Sequence, residues 1–384
     1  MVNSPVHIAL DTTPLPALAG GGERQRDVTH LLALPDFVDP GDLEFLIQSR
    51  VPRAAWETLP AEAGTADAVR LLPGRLRMSP RTVVHGPYAP LAAAEDGRAY
   101  PHPAGFASTT QVVYALTTRR ERGEPPLEGV GDRDGIARMF AEALPIREEG
   151  RQVLLLVALA RLLEGTVHCE AVTPPPRRVP SRDDDPQRYR SVTPDAKANV
   201  NLTVYSDVWL DPAAALRLAH ITVPAMGYMP TEADWDGPAP VPDFLRQDTP
   251  LSDDLISLIH KNADDTDREV LAVPAERSAY GLVYEGPGGN LVTIDINGVD
   301  VVPPVLDGLD WVANGVIEYR FAWTPDDLVD WQRETPSFDL RKHRTRMAGV
   351  ILGLAHDFYA ATGGEVVDQD GFLKDPSQLR SSRG

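Results

Sequence analysis

The chain has 384 residues, of which 37 are basic and 56 are acidic, and its formal net charge is −19. This length exceeds one ordinary hydrophobic core and predicts two or three domains. The negative charge repels nucleic acid backbones and anionic membrane surfaces, so we expect neither as a partner. The single cysteine, Cys169, excludes an intramolecular disulfide and a cysteine-rich zinc site.

Targeting and membrane signals are missing from the sequence. The longest apolar run, at 153–163, is interrupted by Arg161, and the N-terminal segment lacks a basic region before its apolar residues. A membrane span needs about eighteen or more apolar residues in succession, and a signal peptide needs a basic start. We therefore expect a cytosolic bacterial protein without a signal peptide or a membrane span.

The first part of the chain mixes strand and helix patterns. Asp39-Pro40 is typical of a capped helix start, and β-branched residues near 110–118 favour a strand. The last helix predicted in this part, at 151–163, is apolar on nearly all sides and should be buried. In chain order, the predicted elements are a strand at 5–10, a helix at 39–51, a strand at 110–118, helices at 131–144 and 151–163, and a strand at 166–172.

A proline-rich, charged segment at 173–198 supplies neither periodicity nor apolar surface, which predicts a linker or a long exposed loop. It separates an N-terminal α+β domain, 1–172, from a C-terminal α+β domain, 199–384.

The C-terminal part has stronger local signals. Asn297-Gly298 is the preferred dipeptide of a tight hairpin, so the strand-like runs around it predict an antiparallel meander. The predicted elements are a strand at 199–210, helices at 211–219 and 251–262, strands at 280–285, 291–296, 299–303 and 316–323, helices at 325–333 and 340–361, and a strand at 365–368.

The two parts share an order of elements. A strand, two helices and a second strand occur at 111–172 and again at 316–368. This predicts an α+β protein of two halves, and a diverged duplication of a βααβ element is our hypothesis for their origin.

The segment "ATGGEVVDQDGFL", 361–373, combines a pair of adjacent glycines with three acidic residues. A calcium loop would need a late bidentate glutamate, and the residues after Gly371 supply none. Gly363-Gly364 can stop a helix by adopting a left-handed backbone, and Val366-Val367 can start a strand. We therefore predict a helix stop, a returning strand and a polar turn.

Sequence motifs for chemistry are lacking. Dinucleotide, phosphate-loop, metalloprotease and serine-hydrolase motifs do not occur, so we predict no cofactor, no metal and no catalytic residues. By elimination, the sequence favours a non-catalytic binding or accessory protein of the immunity or scaffold kind. An acidic surface suits a basic protein partner, and nothing in the sequence predicts an oligomeric state. The candidate interface residues are Trp209, Tyr205, Trp235, Arg341, Lys342 and Arg344.

Two alternatives stay open at the sequence level. A motif-poor enzyme would assemble its site from distant histidines and carboxylates, and a deep pocket in which His85, His102 or Glu318 meets other polar groups would support it. A structural subunit of a larger particle would expose a large apolar patch.

Overall fold

The computed structural model of the protein describes most of the chain. The described residues are 11–16, 27–65, 68–93, 99–127, 129, 131–170, 189–229, single positions between 254 and 265, 279–286 and 288–379. The strand predicted at 5–10, half of the residues of the helix predicted at 251–262 and Trp235 lie outside them. Within this part of the chain, no helix has both the length and the apolar character needed to cross a membrane.

Helices and antiparallel sheets together make this an α+β protein, as predicted. The strands of the first half are β1 Asp11–Thr12, β2 Pro14–Leu15, β3 Asp27–Leu34, β4 Ala55–Thr58, β5 Ala61–Thr65, β6 Ala68–Leu72, β7 Gly74–Ser79, β8 Thr82–Ala93, β9 Ala99–Pro101, β10 Val112–Arg119, β11 Thr166–Glu170 and β12 Tyr189–Val192. Those of the second half are β13 Leu202–Ser206, β14 Gly227–Tyr228, β15 Ala279–Glu285, β16 Leu291–Gly298, β17 Ile317–Thr324 and β18 Glu365–Asp368. The helices are α1 Pro40–Gln48, α2 Ile136–Met139, α3 Arg147–Leu162, α4 Pro212–Thr222, α5 Leu328–Trp331 and α6 Phe338–Thr362.

The first sheet has the main order β12-β11-β3-β10-β8-β7-β4, and its paired strands along this path are antiparallel. Helices α1 and α3 bury one face of it. Leu32, Tyr114 and Leu76 of the sheet pack there with Leu156 and Leu159 of α3 in a single core cluster. We call this the inner face of the first sheet and its opposite side the outer face.

The second sheet has the order β14-β15-β16-β17-β13-β18 and is antiparallel throughout. Its inner face lies under α4 and α6. Val204, Phe321 and Ile294 of the sheet form one core cluster with Leu354 and Phe358 of α6. The buried apolar residues of α6 therefore face this core.

The two large sheets follow the same connectivity once β1, β2, β5, β6, β9 and β12 of the first half are left out of the comparison. In each half the first strand (β3, β13) is followed by a helix, four strands, a short helix, a long helix and a last strand. Numbering these strands one to six along the chain, both sheets have the spatial order 2-3-4-5-1-6. The shared order extends beyond the βααβ element, while the duplication itself stays a hypothesis.

The helix that follows the first strand begins in the same way in both halves. Asp39 accepts a hydrogen bond from the Gly41 N–H before Pro40 starts α1, and Asp211 accepts one from Ala214 before α4. Both sequences read Asp-Pro because a capping carboxylate satisfies a free N–H group and proline tolerates the first helical position.

The helix predicted at 131–144 is wrong in its extent, since only α2 forms there. Gly135 has a left-handed backbone with φ 68°, which breaks helical continuity, and the Asp132 carboxylate accepts hydrogen bonds from the N–H groups of Ala137 and Arg138. The acidic residues thus cap a short turn instead of beginning a long helix.

The tight hairpin predicted at Asn297-Gly298 is also wrong. Residues 299–303 do not form a strand, and the chain passes through two 3₁₀ turns, Pro304–Leu306 and Asp310–Asn314, before β17 pairs with β16. Pro303 and Pro304 have no N–H group to donate to a ladder, so the run cannot continue as a strand. The meander is present, but β17 is its third long strand.

Part of the predicted linker belongs to the first sheet. Within 173–198, Tyr189–Val192 forms β12 and pairs with β11, with Val192 opposite Val167 and Tyr189 opposite Glu170. Residues 171–188 lie outside the described part of the chain.

The "TGGEVVDQDG" segment folds as predicted. Gly363 ends α6 with φ 66°, Gly364 has φ 90°, and β18 follows directly. The Asp368 carboxylate then accepts hydrogen bonds from the Asp370 and Phe372 N–H groups, which closes a polar turn.

This turn joins the two halves, which its sequence did not reveal. The Asp370 carboxylate pairs with both Arg161 of α3, at 2.6 Å and 2.8 Å, and the Asn199 amide, at 2.8 Å. The next apolar residue, Phe372, is fully buried in the core of the first half. The end of the chain therefore packs against the first sheet's layer.

Candidate binding surfaces

Two exposed sheet faces carry the polar groups that are available to a ligand. The first is a cleft of about 490 Å³ on the outer face of the first sheet, where β3, β10, β8 and β7 lie side by side. We call it the arginine cleft. Its lining residues are Asp27, Arg75, Arg77, Pro80, Arg81, Val83, His85, Thr117 and Arg119.

Strand register explains why these side chains meet. Val83 of β8 lies opposite Arg77 on one side and Thr117 on the other, and the buried Val83 side chain forms the floor. Because alternate residues of a strand share a face, Arg75 lies on the same side as Arg77, and Arg119 on the same side as Thr117. The arginines thus stand on both sides of an apolar and hydroxyl floor.

The four guanidinium groups differ in whether they form salt bridges with carboxylates of the chain. Arg75 and Arg77 both pair with Glu57 of the edge strand β4. Arg81, at the β7–β8 turn, and Arg119 are exposed and form no salt bridge with any described carboxylate. Two of the four cations are therefore open to an external anion.

His85 completes the polar wall of the cleft. It lies opposite Arg75 in the β7–β8 ladder. Burial, and then the Arg75 charge, lower the pKa of His85 below its ordinary value, which keeps the imidazole neutral at pH 7. A neutral ring offers one N–H donor and one acceptor nitrogen.

The remainder of the outer face of the first sheet is covered. A small second core forms there between strand residues and the chain segments that cross them, which confines the cleft to one end of the sheet. Its members are Leu15, Leu31, Ala33, Tyr88, Val113, Ala115 and Tyr189.

The second surface is the outer face of the second sheet. Register places Tyr205 of β13 between Glu318 of β17 and Glu365 of β18, and Asn297 of β16 lies next to Glu318. We call these four residues the tyrosine row. Adjacent strands are about 4.8 Å apart, so the two glutamates are the cross-strand neighbours of Tyr205 on either side.

The electrostatics of the tyrosine row favour a cation. Burial raises the pKa of Glu365, and it raises that of Glu318 too, with Arg320 opposing the shift and Asp295 adding to it. Burial and Glu318 raise the pKa of Tyr205 to about 12. These shifts show that the carboxylates are desolvated without full compensation by a positive charge.

Arg320 is a cation beside the tyrosine row, and its charge is shared between two carboxylates. Its guanidinium lies 3.2 Å from Asp295 and 3.9 Å from Glu318, and 56% of the side chain is exposed. Asp295 lies on the opposite side of β16 from the buried Val292, Ile294 and Ile296, so it faces away from the core.

The predicted interface residues fall into three groups. Tyr205 belongs to the tyrosine row, and Trp209 is 40% exposed with its ring edge-on to Tyr280 at 5.5 Å. Arg341 and Lys342 are exposed on α6. Arg344 is 7% exposed and pairs with Asp195, so its guanidinium is engaged within the chain.

The residues of the arginine cleft were not recognised in the sequence. A usable signal was present in "GRLRMS", 74–79, where Arg75 and Arg77 alternate with the buried Leu76 and Met78 at the period of a strand. The contribution of Arg119 depends on the pairing of β10 with β8, which no local pattern reveals.

The three residues named for the enzyme alternative are dispersed. His85 lies in the arginine cleft, whereas His102 is buried and stacks on Phe106 at 5.1 Å. Glu318 belongs to the second sheet.

A further polar cluster is fully enclosed. Glu149 of α3 contacts the buried His30 at 3.3 Å and Arg122 at 2.6 Å beneath the first sheet. Burial raises the pKa of Glu149, but bonds and charge from His30 and Arg122 outweigh it and lower the net value. This cluster stabilises the interior and does not reach solvent through His30 or Glu149.

Across the described ranges, no three histidine, cysteine or acidic side chains stand close enough together to hold a metal ion. Cys169 is buried on β11, and burial raises the pKa of its thiol. Comparison of the chain with protein-family models, with curated proteins and with solved structures finds no match.

Proposed function

We propose that this is a cytoplasmic, non-catalytic binding or accessory protein, and that it holds a basic segment of a protein partner at the tyrosine row. The observation that carries the proposal is the placement of Tyr205 between Glu318 and Glu365 on a sheet face that the helices of the second half leave uncovered.

A lysine or arginine side chain suits this geometry. Its cation lies over the Tyr205 ring, where the quadrupole of the phenol attracts it, and contacts a carboxylate on each side. The arriving charge stabilises the ionised forms of Glu318 and Glu365, whose pKa values are raised in the free protein. Trp209, which is 40% exposed in the same half, is a further aromatic group for such a partner.

The net charge of −19 acts in the same direction, because it steers a basic partner toward the protein from a distance. Association of this kind weakens as salt screens the charges.

The test uses tagged protein to retain partners from its native lysate at low and at high salt, followed by titration with a lysine- and arginine-rich peptide. We expect Glu318→Gln combined with Glu365→Gln to weaken peptide binding about tenfold or more, since two charge-assisted contacts are lost. The partner retained by the unmodified protein should be lost from this variant.

The matched control removes two exposed carboxylates elsewhere, with Glu142→Gln and Glu285→Gln. It has the same net charge as the test variant and should bind nearly as well as the unmodified protein. Equal losses in both variants would show that only the overall charge matters and would contradict the proposal.

A further inference from the structure

We propose that the arginine cleft is a binding site for a small molecule that carries more than one phosphate group, such as a diphosphate or triphosphate ester. This site lies on the other sheet from the tyrosine row and does not depend on the function proposed above.

The first argument is charge. The cleft concentrates Arg75, Arg77, Arg81 and Arg119 in a chain whose net charge is −19, and the carboxylates near them are Asp27, Glu57 and Glu148, whose pKa the Arg81 charge helps to lower. Screening limits long-range repulsion to about 8 Å at physiological salt, so an anion inside the cleft is governed by the local cations. Guanidinium groups match phosphate oxygens with paired N–H donors.

The second argument is shape. A volume of about 490 Å³ lies in the range of small-molecule sites and is too small for a folded partner. Strands β7 and β10 are separated only by β8, so their arginines begin roughly 10 Å apart. A ligand with two or more anionic groups spans this width, with one group between Arg75 and Arg77 and another near Arg119.

The third argument concerns the competing carboxylate. Glu57 occupies both Arg75 and Arg77, with 35% of its side chain exposed. A phosphate group carries more negative charge than a carboxylate and presents three acceptor oxygens, so it competes with Glu57 more effectively than a carboxylate ligand does. This favours phosphates over polycarboxylates.

The neutral groups of the cleft fit the same ligand. A His85 N–H is a donor beside the cations, the Thr117 hydroxyl shares a hydrogen bond of 3.2 Å with the Thr29 hydroxyl, and the buried Val83 provides an apolar floor. Nucleic acid does not suit the whole molecule, because the acidic surface outside the cleft repels an extended polyanion.

The experiment is calorimetric titration of the full chain with tripolyphosphate, pyrophosphate, inorganic phosphate and citrate. We expect affinity to fall in that order for the three phosphates, with citrate below pyrophosphate. Equal affinity for citrate and tripolyphosphate would overturn the assignment to phosphates, and absence of tripolyphosphate binding would overturn the site.

Paired variants locate the site. Arg81→Ala combined with Arg119→Ala should weaken tripolyphosphate binding about tenfold or more, because it removes the two cations that lack a partner among the described carboxylates. Arg217→Ala combined with Lys261→Ala removes the same charge from exposed positions in the second half and should change binding little. Similar losses in both double variants would contradict binding in the cleft.

A third variant acts in the opposite direction. Glu57→Gln frees Arg75 and Arg77 and should tighten tripolyphosphate binding, while its far-UV circular dichroism should match that of the unmodified protein. Weaker binding by a folded Glu57→Gln variant would contradict the proposed competition between Glu57 and the ligand.

Discussion

His168 is a titratable side chain placed where its charged form is strongly disfavoured. It lies on β11, is 2% exposed, and meets Phe106 edge-on with ring centroids 4.9 Å apart. Burial lowers the pKa of His168 to about 4. The unfolded chain therefore binds a proton at this residue in a pH range where the folded chain does not.

The sign of the pH dependence follows from linkage. Between pH 6.5 and about 4 the unfolded state binds more protons, so the stability of the fold decreases as the pH falls. From pH 7 to pH 5 this residue alone should lower the free energy of unfolding by about 2 kcal/mol. In the His168→Phe variant, urea denaturation should show a smaller loss over this interval by about that amount. An unchanged difference between pH 7 and pH 5 would contradict the buried neutral state of His168.

Only some residues of the arginine cleft could be predicted from the sequence. The period of two in "GRLRMS" places Arg75 and Arg77 on one side of a strand, and that side is the outer face. Arg119 ends a buried strand, and its sequence does not indicate which strand lies beside it. Two of the four arginines of the cleft were thus within reach of sequence reasoning.

At the scale of elements, the junction between α6 and β18 depends on two glycines with different surroundings. Gly363 and Gly364 both have positive φ, at 66° and 90°. A Cβ on Gly363 would meet nothing within 4 Å, whereas one on Gly364 would lie 1.9 Å from the Tyr205 carbonyl oxygen. Backbone conformation is the constraint at the first position, and both conformation and contact act at the second.

We expect the two alanine variants to separate these effects. Gly363→Ala should lower the free energy of unfolding by about 2 kcal/mol, because a backbone with φ 66° and ψ −152° is one that essentially only glycine adopts. Gly364→Ala should lower it by about 3 kcal/mol or more, because β18 must also move away from β13. Chemical denaturation of both variants measures the difference, and equal effects would show that the backbone at Gly364 relaxes freely.

Local signals predicted elements well where caps and periodicity agreed. Asp211-Pro212 begins α4, and Gly363 ends α6 as expected. Local signals failed where a glycine or proline interrupted a predicted element. The examples are Gly135 in the helix predicted at 131–144 and Pro303-Pro304 in the strand predicted at 299–303. Each failure reflects a backbone restriction that a hydrophobic pattern does not register.

At the scale of the whole molecule, the C-terminal turn couples the two halves. Arg161 is 5% exposed and pairs with Asp370 and Asp134, while Asn199 also holds the Asp370 carboxylate. Removing one partner of a buried ion pair leaves a charge without full compensation. Asp370 thus contributes to the stability of the contact between halves as well as to its own turn.

Asp370→Ala should lower the free energy of unfolding by about 3 kcal/mol, because Arg161 keeps only Asp134 as a partner. We expect calorimetry to resolve one transition in the unmodified protein and two in the variant, since the halves lose a shared contact. The control is Asp300→Ala, at an exposed carboxylate, which should change stability by less than about 0.5 kcal/mol. A single transition with unchanged stability in Asp370→Ala would contradict this coupling.

The two halves also differ in charge on corresponding surfaces. Both sheets have the same strand order and an outer face opposite their helices, yet the first carries the arginine cleft and the second carries the acidic tyrosine row. A common arrangement of strands therefore supports two surfaces suited to ligands of opposite charge.

The sequence by itself determined the α+β class, the two halves, the helix caps and the strand after Gly364, because propensity, capping and periodicity act over a few neighbouring residues. Only the tertiary structure decided that Tyr205 lies between two glutamates, that Arg119 faces Arg77 across β8, and that Asp370 reaches Arg161. Those contacts join residues far apart in the chain. Strand register and packing of the halves set them, and neither is specified by local sequence.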